Sequence, residues 1–202
     1  GTNPGKHGVF YFFERDINNY AMSNPKRLVN LNSIKGIPFW RVLNAFGYKV
    51  GLINIPLTYP PDKVDGFMVS GMLVPPDATD YVYPPELFSQ LEDYSVDLDG
   101  LMEENKWQVN KLLKKDREKF LDDVFNLSKT RTHNSLKFMR NEKWDMFMVV
   151  FTGSDRISHF FWEDSNSQKS PSSVVEDYYS YLDTLIGQLI EEEEQDGRDH
   201  AR

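Results

Sequence analysis

The chain has 202 residues, with 23 Lys and Arg against 31 Asp and Glu, and its net charge of −8 argues against binding nucleic-acid polymers or anionic membranes, which need clustered cations. The chain has no cysteine, which excludes disulfides, Cys-ligated zinc and a thiol nucleophile. His and carboxylate side chains remain as the strong metal ligands. The absence of cysteine also slightly favours the cytosol as the compartment. The longest apolar run, residues 146–151, is too short to span a bilayer, so we expect a soluble protein with one sizeable core.

The first part of the chain predicts short strands and helices. Residues 9–13 form an apolar, aromatic run that is typical of a strand. Residues 36–46 have helical spacing, and Gly47 is the expected terminating residue. Residues 48–55 are almost continuously apolar, which is typical of a strand buried on both faces, and residues 66–74 predict another strand.

Residues 56–104 are rich in loops and contain most of the prolines. Long ordered loops often line sites, so we interpret this region as a cleft or cap. Residues 85–91 predict a short helix within it.

The second half of the chain predicts longer helices around one strand. Residues 105–126 have helical periodicity, and residues 132–140 either prolong or repeat that helix. Residues 144–151 are the strongest strand prediction, buried in character, and residues 173–192 predict an amphipathic helix. Helices that alternate with apolar strands imply a layered α/β domain, with a mainly parallel sheet flanked by helices.

A candidate metal site directly follows the 144–151 strand, where Asp155 and His159 stand four residues apart. On a helix these positions share a face, so a carboxylate oxygen and an imidazole nitrogen can reach one divalent cation. Ligand sites in open α/β sheets lie beyond the carboxyl ends of strands, which supports this assignment. Spacing alone, however, favours a structural alternative, in which Asp155 caps the helix, His159 is an ordinary helix residue and the aromatic residues 160–162 bury the far side.

The segment Thr-Gly-Ser-Asp-Arg-Ile-Ser-His-Phe-Phe-Trp, residues 152–162, resembles the metal-ligand segment of the type I phosphodiesterase/nucleotide pyrophosphatase family, in the alkaline phosphatase superfamily. Residues 1–10, with their Pro and His-Gly, resemble the segment that follows the family's nucleophile. Three more stretches agree in order with the family: residues 38–61, residues 66–75 and the helix with Tyr178, Tyr179, Leu182, Asp183 and Gly187. The resemblance implies that residues 1–202 are part of an alkaline-phosphatase-like catalytic domain, with residues 144–162 as its strand and metal-ligand segment.

The resemblance also implies a reaction, namely metal-dependent hydrolysis of phosphodiester or nucleotide pyrophosphate bonds through a phospho-enzyme. The family uses two divalent metal ions, usually zinc, and a small phosphate-ester or nucleotide substrate. Asp155 and His159 carry over as ligands of one metal, so this chain would hold at most one partial site. The family's nucleophile and its remaining ligands match no residue of this chain, so we expect an internal fragment with no catalytic residue of its own and little activity alone.

The other polar candidates carry weaker signals. Asp199-His200 is followed by Ala rather than the family's Gly, and no apolar strand precedes it. We expect His7 to be a turn or packing residue, His133 to lie on the surface, and Thr58 and Tyr59 to pack a loop rather than line the substrate cleft.

Two other functions stay open at this point. One is a phosphomonoesterase, mutase or sulfatase-like enzyme of the same superfamily, because the metal segment is shared more widely than the substrate preference. The other is a noncatalytic binding or assembly module in which the pair Asp155 and His159 is structural.

Overall fold

A computed structural model of the chain describes residues 2–12, 28–98, 102–103, 106–107, 116–165 and 174–195. The chain divides into two compact units. The first comprises residues 1–90, 102–107 and 143–150, and the second comprises residues 91–101, 108–142 and 151–202.

A four-stranded sheet forms the centre of the first unit. Its strands are β1 (Val50–Ile55), β2 (Gly66–Ser70), β3 (Val82–Tyr83) and β6 (Met146–Val149), arranged in the order β3-β2-β1-β6. Strand β1 pairs in parallel with both β2 and β6, whereas β3 runs antiparallel to β2. Two further strands, β4 (Met102–Glu103) and β5 (Lys106–Trp107), form a separate antiparallel pair. The predicted α/β class with a mainly parallel sheet is confirmed.

Short helices accompany this sheet: α1 (Pro4–His7), α2 (Phe39–Ala45) and two 3₁₀ helices, Leu31–Ser33 and Pro85–Gln90. Helix α2 confirms a helix within residues 36–46, although it begins at Phe39 rather than at Gly36. Gly47 follows it with a φ of 86°, a left-handed conformation that glycine adopts without strain. The buried Trp40 of α2 packs with the sheet residues Val50, Leu52 and Met68. This cluster is the core of the first unit.

The two parallel neighbours β1 and β6 differ in burial. All residues of β1 except the last are buried, as the apolar run predicts. Strand β6 is half-buried, and Met148 is 37% exposed. The prediction of a buried strand at residues 144–151 is therefore wrong in its burial, because β6 stands at one end of the sheet among the described residues.

Three other boundaries differ from the sequence predictions. Residues 9–12 contain bends rather than the predicted strand, and residue 13 lies outside the described residues. Strand β2 ends at Ser70 rather than at residue 74. The helix predicted for residues 105–126 begins at Arg117, and residues 106–107 form β5 instead, while residues 108–115 lie outside the described residues.

Three helices build the second unit: α3 (Arg117–Asn141), α4 (Gly153–Ser165) and α5 (Val174–Gln195). Asp116 fixes the start of α3, because its carboxylate accepts a hydrogen bond from the backbone N–H of Lys119 at 2.9 Å. Helix α3 then continues through residues 132–140, so that stretch prolongs the helix rather than repeating it. Helix α5 confirms the amphipathic prediction and buries Val175, Tyr178, Leu182, Leu185 and Leu189.

None of the described helices combines the length and the apolar character that a membrane span requires. The assignment of residues 56–104 as a cleft or cap stays a prediction.

Candidate metal site

Helix α4 presents two different faces. Ile157 and Phe161 are completely buried, and the Arg117 guanidinium lies 4.4 Å from the centre of the Phe161 ring. The opposite face carries Asp155 and His159, whose side chains are 52% and 71% exposed. The helix is thus anchored by apolar packing on one side, while the two predicted ligands reach solvent on the other.

Helix α4 differs from the structural alternative in two respects. Asp155 is the third residue of the helix and not its cap, since the helix begins at Gly153. The hydroxyl of Ser154 donates to the carbonyl of Phe151 at 3.1 Å. A carboxylate in the first turn is stabilised by the helix dipole. Trp162, which that alternative would bury, is 60% exposed.

Asp155 and His159 come together as the sequence predicts. The distance between Asp155 Oδ1 and His159 Nε2 is 3.3 Å. In a tetrahedral site with ligand bonds of about 2.0–2.1 Å, two ligand atoms lie about 3.3–3.4 Å apart. Carboxylate oxygen and imidazole nitrogen are both ligands that zinc accepts, so the donor atoms and their separation fit one divalent cation.

The pair supplies only part of a coordination sphere. Among the described residues, no group of three or more His, Asp or Glu side chains could hold a metal ion. Without a metal, an exposed pair of this kind contributes at most about 1 kcal/mol to stability. Among the described residues, the geometry therefore provides one pair of adjacent donor atoms and not a complete coordination sphere.

Arg156 connects Asp155 to a distant part of the chain. Its Nη1 donates to Asp155 Oδ2 at 2.7 Å, and its Nη2 donates to Asp97 Oδ2 at 2.7 Å. The Arg156 side chain is 9% exposed and that of Asp97 14%. Sequence reasoning missed both residues: Arg156 lies inside the segment that carries the resemblance, but nothing in the sequence pairs it with Asp97.

A second arginine, Arg131 of α3, contacts the same region of the chain. Its side chain is completely buried and donates to Thr152 Oγ1 at 3.2 Å, and to the carbonyls of Ser95 at 3.3 Å and Val96 at 2.8 Å. Thr152 is the residue just before α4. Arg131 and Arg156 thus both join residues 95–97 to the beginning of α4.

Gly153 allows helix α5 to approach the start of α4 closely. A Cβ atom at this position would lie 2.1 Å from the Tyr178 hydroxyl oxygen and 3.0 Å from Ser128 Oγ. These two buried hydroxyls are hydrogen-bonded to each other at 2.7 Å. Burial raises the pKa of Tyr178, although the bond with Ser128 partly offsets this effect. The hydroxyl therefore stays protonated at neutral pH.

We expect Gly153→Ala to lower the free energy of unfolding by about 1–3 kcal/mol, because the added methyl group must displace Tyr178. Urea denaturation followed by circular dichroism measures this change. Gly187→Ala in α5 is the matched control, since nothing lies within 4 Å of its new Cβ, and it should stabilise by about 0.5–1 kcal/mol. A Gly153→Ala variant as stable as the wild type would contradict the close approach.

The structure describes four of the other sequence candidates. His7 Nδ1 accepts from the backbone N–H of Val9 at 3.2 Å, as in a turn, and His133 is exposed beside Glu92 at 3.0 Å. Thr58 is buried and hydrogen-bonded to the carbonyl of Ile55, while the Tyr59 hydroxyl donates to Asp80 at 2.8 Å. The Asp199-His200 pair lies outside the described residues.

A comparison with protein families agrees with the fold. Residues 1–201 match the family model described as type I phosphodiesterase / nucleotide pyrophosphatase. No curated protein and no solved structure matches the chain. The matched range covers almost every residue, including the α/β sheet and the segment with Asp155 and His159. The chain therefore belongs to the type I phosphodiesterase/nucleotide pyrophosphatase family.

Proposed function

We propose that the full-length protein hydrolyses phosphodiester or nucleotide pyrophosphate bonds in a metal-dependent reaction, with a small phosphate ester or nucleotide as its substrate. Family membership supports this class of hydrolase. The observation that carries the metal dependence is the 3.3 Å separation of Asp155 Oδ1 and His159 Nε2. We propose zinc as the ion because both ligand types and their spacing suit it.

In this proposal Asp155 and His159 hold one of two divalent ions. A bound ion would stabilise negative charge on the attacking or leaving oxygen of the phosphoryl group. The exposure of both side chains leaves room for a phosphate to reach the ion. Buried Ile157 and Phe161 keep the helix in place, so that the two ligand atoms stay close together before the ion binds.

The reaction is proposed to pass through a phospho-enzyme, as in the family. In this proposal Asp155 and His159 hold the ion and neither acts as the nucleophile. Because the described residues bring together two ligands and no group of three, we expect the 202-residue chain alone to turn over slowly or not at all.

The test is a substrate comparison with the full-length protein. Bis(p-nitrophenyl) phosphate, a nucleotide pyrophosphate, p-nitrophenyl phosphate and p-nitrophenyl sulfate would be hydrolysed with added Zn²⁺ and after treatment with EDTA. We expect the diester and the pyrophosphate to react fastest, and both rates to fall when the metal is removed.

Two results would contradict this function. Faster hydrolysis of the monoester or of the sulfate ester would favour the phosphatase, mutase or sulfatase-like alternative. No hydrolysis of any ester by metal-loaded protein would favour the binding or assembly module.

A further inference from the structure

We propose that Arg156 and Asp97 are positioning residues for the metal-ligand pair, a role that rests on the proposed function of Asp155 and His159. Asp97 fixes the Arg156 guanidinium, and Arg156 in turn fixes the Asp155 carboxylate. Neither residue touches the metal in this scheme. They determine which oxygen of Asp155 faces His159.

The contacts of Arg156 support this role. Its two terminal nitrogens point to different carboxylates, with both distances at 2.7 Å. These lengths are typical of strong, charge-assisted hydrogen bonds. The Arg156 and Asp97 side chains are 9% and 14% exposed, so water competes weakly for them. A surface pair of the same length would be more mobile and would orient its partner less well.

The two carboxylate oxygens of Asp155 have different partners, and this difference affects how Asp155 can bind a metal. Oδ2 accepts from Arg156, while Oδ1 lies 3.3 Å from His159 Nε2. With Oδ2 engaged, the carboxylate presents one oxygen rather than two to a cation. The hydrogen bond thus favours a single-oxygen ligand on the face that His159 shares, and ligating carboxylates that are held in this way bind metal more tightly.

The position of Asp97 is itself fixed by the fold. The carbonyl oxygens of the two preceding residues, Ser95 and Val96, accept hydrogen bonds from the buried Arg131, which also donates to Thr152 just before α4. Residues 95–97 are therefore attached to the beginning of α4 at two points, through Arg131 and through Arg156. A shift of this segment would move the Asp155 carboxylate with it.

The test measures Zn²⁺ affinity of the full-length protein by competition with a chromophoric chelator, and the visible absorption of the Co²⁺-substituted protein. Asp97→Asn and Arg156→Gln should each weaken Zn²⁺ binding about 10- to 100-fold and change the Co²⁺ bands. The Zn²⁺ affinity of the double variant should be no lower than that of the single variant with the lower affinity, because both changes break the same chain of contacts.

Asp93→Asn is the matched control. Asp93 lines the same cavity as Asp97, but the carboxylate that accepts from Arg156 Nη2 is that of Asp97. This variant should bind Zn²⁺ like the wild type. Urea denaturation separates folding from affinity, and Asp97→Asn keeps the test valid even where Arg156→Gln does not fold. A purely structural role would lower stability while leaving the affinity of the folded protein and the Co²⁺ spectrum unchanged.

The outcomes separate this inference from the proposed function. Unchanged Zn²⁺ affinity in Asp97→Asn and Arg156→Gln, together with loss of binding in His159→Ala, would overturn the positioning role and leave the metal site intact. Unchanged affinity in His159→Ala would overturn both.

Discussion

Replacing His159 by Ala in the full-length protein should weaken Zn²⁺ binding by at least about 100-fold and lower diester hydrolysis by a similar factor. Partners of metal ligands cost about 10- to 100-fold when they are removed, so the loss of a ligand itself should reach or exceed the upper limit. Asp155→Ala should have the same effect, because its Oδ1 is the other half of the pair. Isothermal titration with Zn²⁺ and a diester assay measure both quantities.

The matched control for this prediction is His133→Ala. His133 is also an exposed helical histidine beside a carboxylate, at 3.0 Å from Glu92. Its replacement should leave Zn²⁺ affinity and activity within twofold of the wild type, about 0.4 kcal/mol. Equal losses in the two histidine variants would point to a general effect of the substitution and would remove the support for the site at His159.

Arg131→Met should lower the free energy of unfolding by about 3 kcal/mol. The wild-type side chain is completely buried and donates to the carbonyls of Ser95 and Val96 and to the hydroxyl oxygen of Thr152. Methionine fills most of the volume but leaves these acceptors without their charged donor, and each unsatisfied buried group costs about 1–3 kcal/mol. Urea denaturation with a constant m-value measures this loss.

Arg140→Met on the same helix provides the comparison. The Arg140 side chain is 58% exposed, and its Nε donates to Glu192 at 2.8 Å. An exposed ion pair of this type contributes little to stability, so the variant should lose much less stability than Arg131→Met. If Arg131→Met and Arg140→Met lowered the free energy of unfolding by similar amounts, the burial of Arg131 could not explain its effect on stability.

The strands and helices were predictable where one periodicity dominated. The apolar run of β1 predicts a strand buried on both faces, and the apolar spacing of α5 predicts its packed face. The similar run of β6 does not reveal its partial exposure, because burial depends on which strands lie beside it. The run at residues 9–13 is equally apolar, yet residues 9–12 form no strand.

The start of α3 shows a different limit. Helical periodicity extends back to residue 105, but the helix begins after Asp116, whose side chain caps it. Residues 106–107 pair instead with β4. A short strand of an antiparallel pair is stabilised by its partner strand. The periodicity of one sequence segment does not reveal which partner strand it will have.

The candidate site was predictable only in its local part. The spacing of Asp155 and His159 places both on one helix face, and in the fold Asp155 Oδ1 and His159 Nε2 lie 3.3 Å apart. The partner of Arg156, Asp97, stands 59 positions earlier in the chain. No periodicity or motif joins residues at that separation, so the connection emerges from the packed structure of the second unit.

The exposure of Trp162 has an optical consequence. Of the three tryptophans whose side chains are described, Trp40 and Trp144 are 5% and 8% exposed, whereas Trp162 is 60% exposed. Trp162 follows His159 by three positions, so both indole and imidazole lie on the same side of α4. Paramagnetic ions such as Co²⁺ quench indole emission at short range. The native fluorescence of the protein therefore contains a reporter beside Asp155 and His159, and in the proposed function it would follow metal loading without any attached dye.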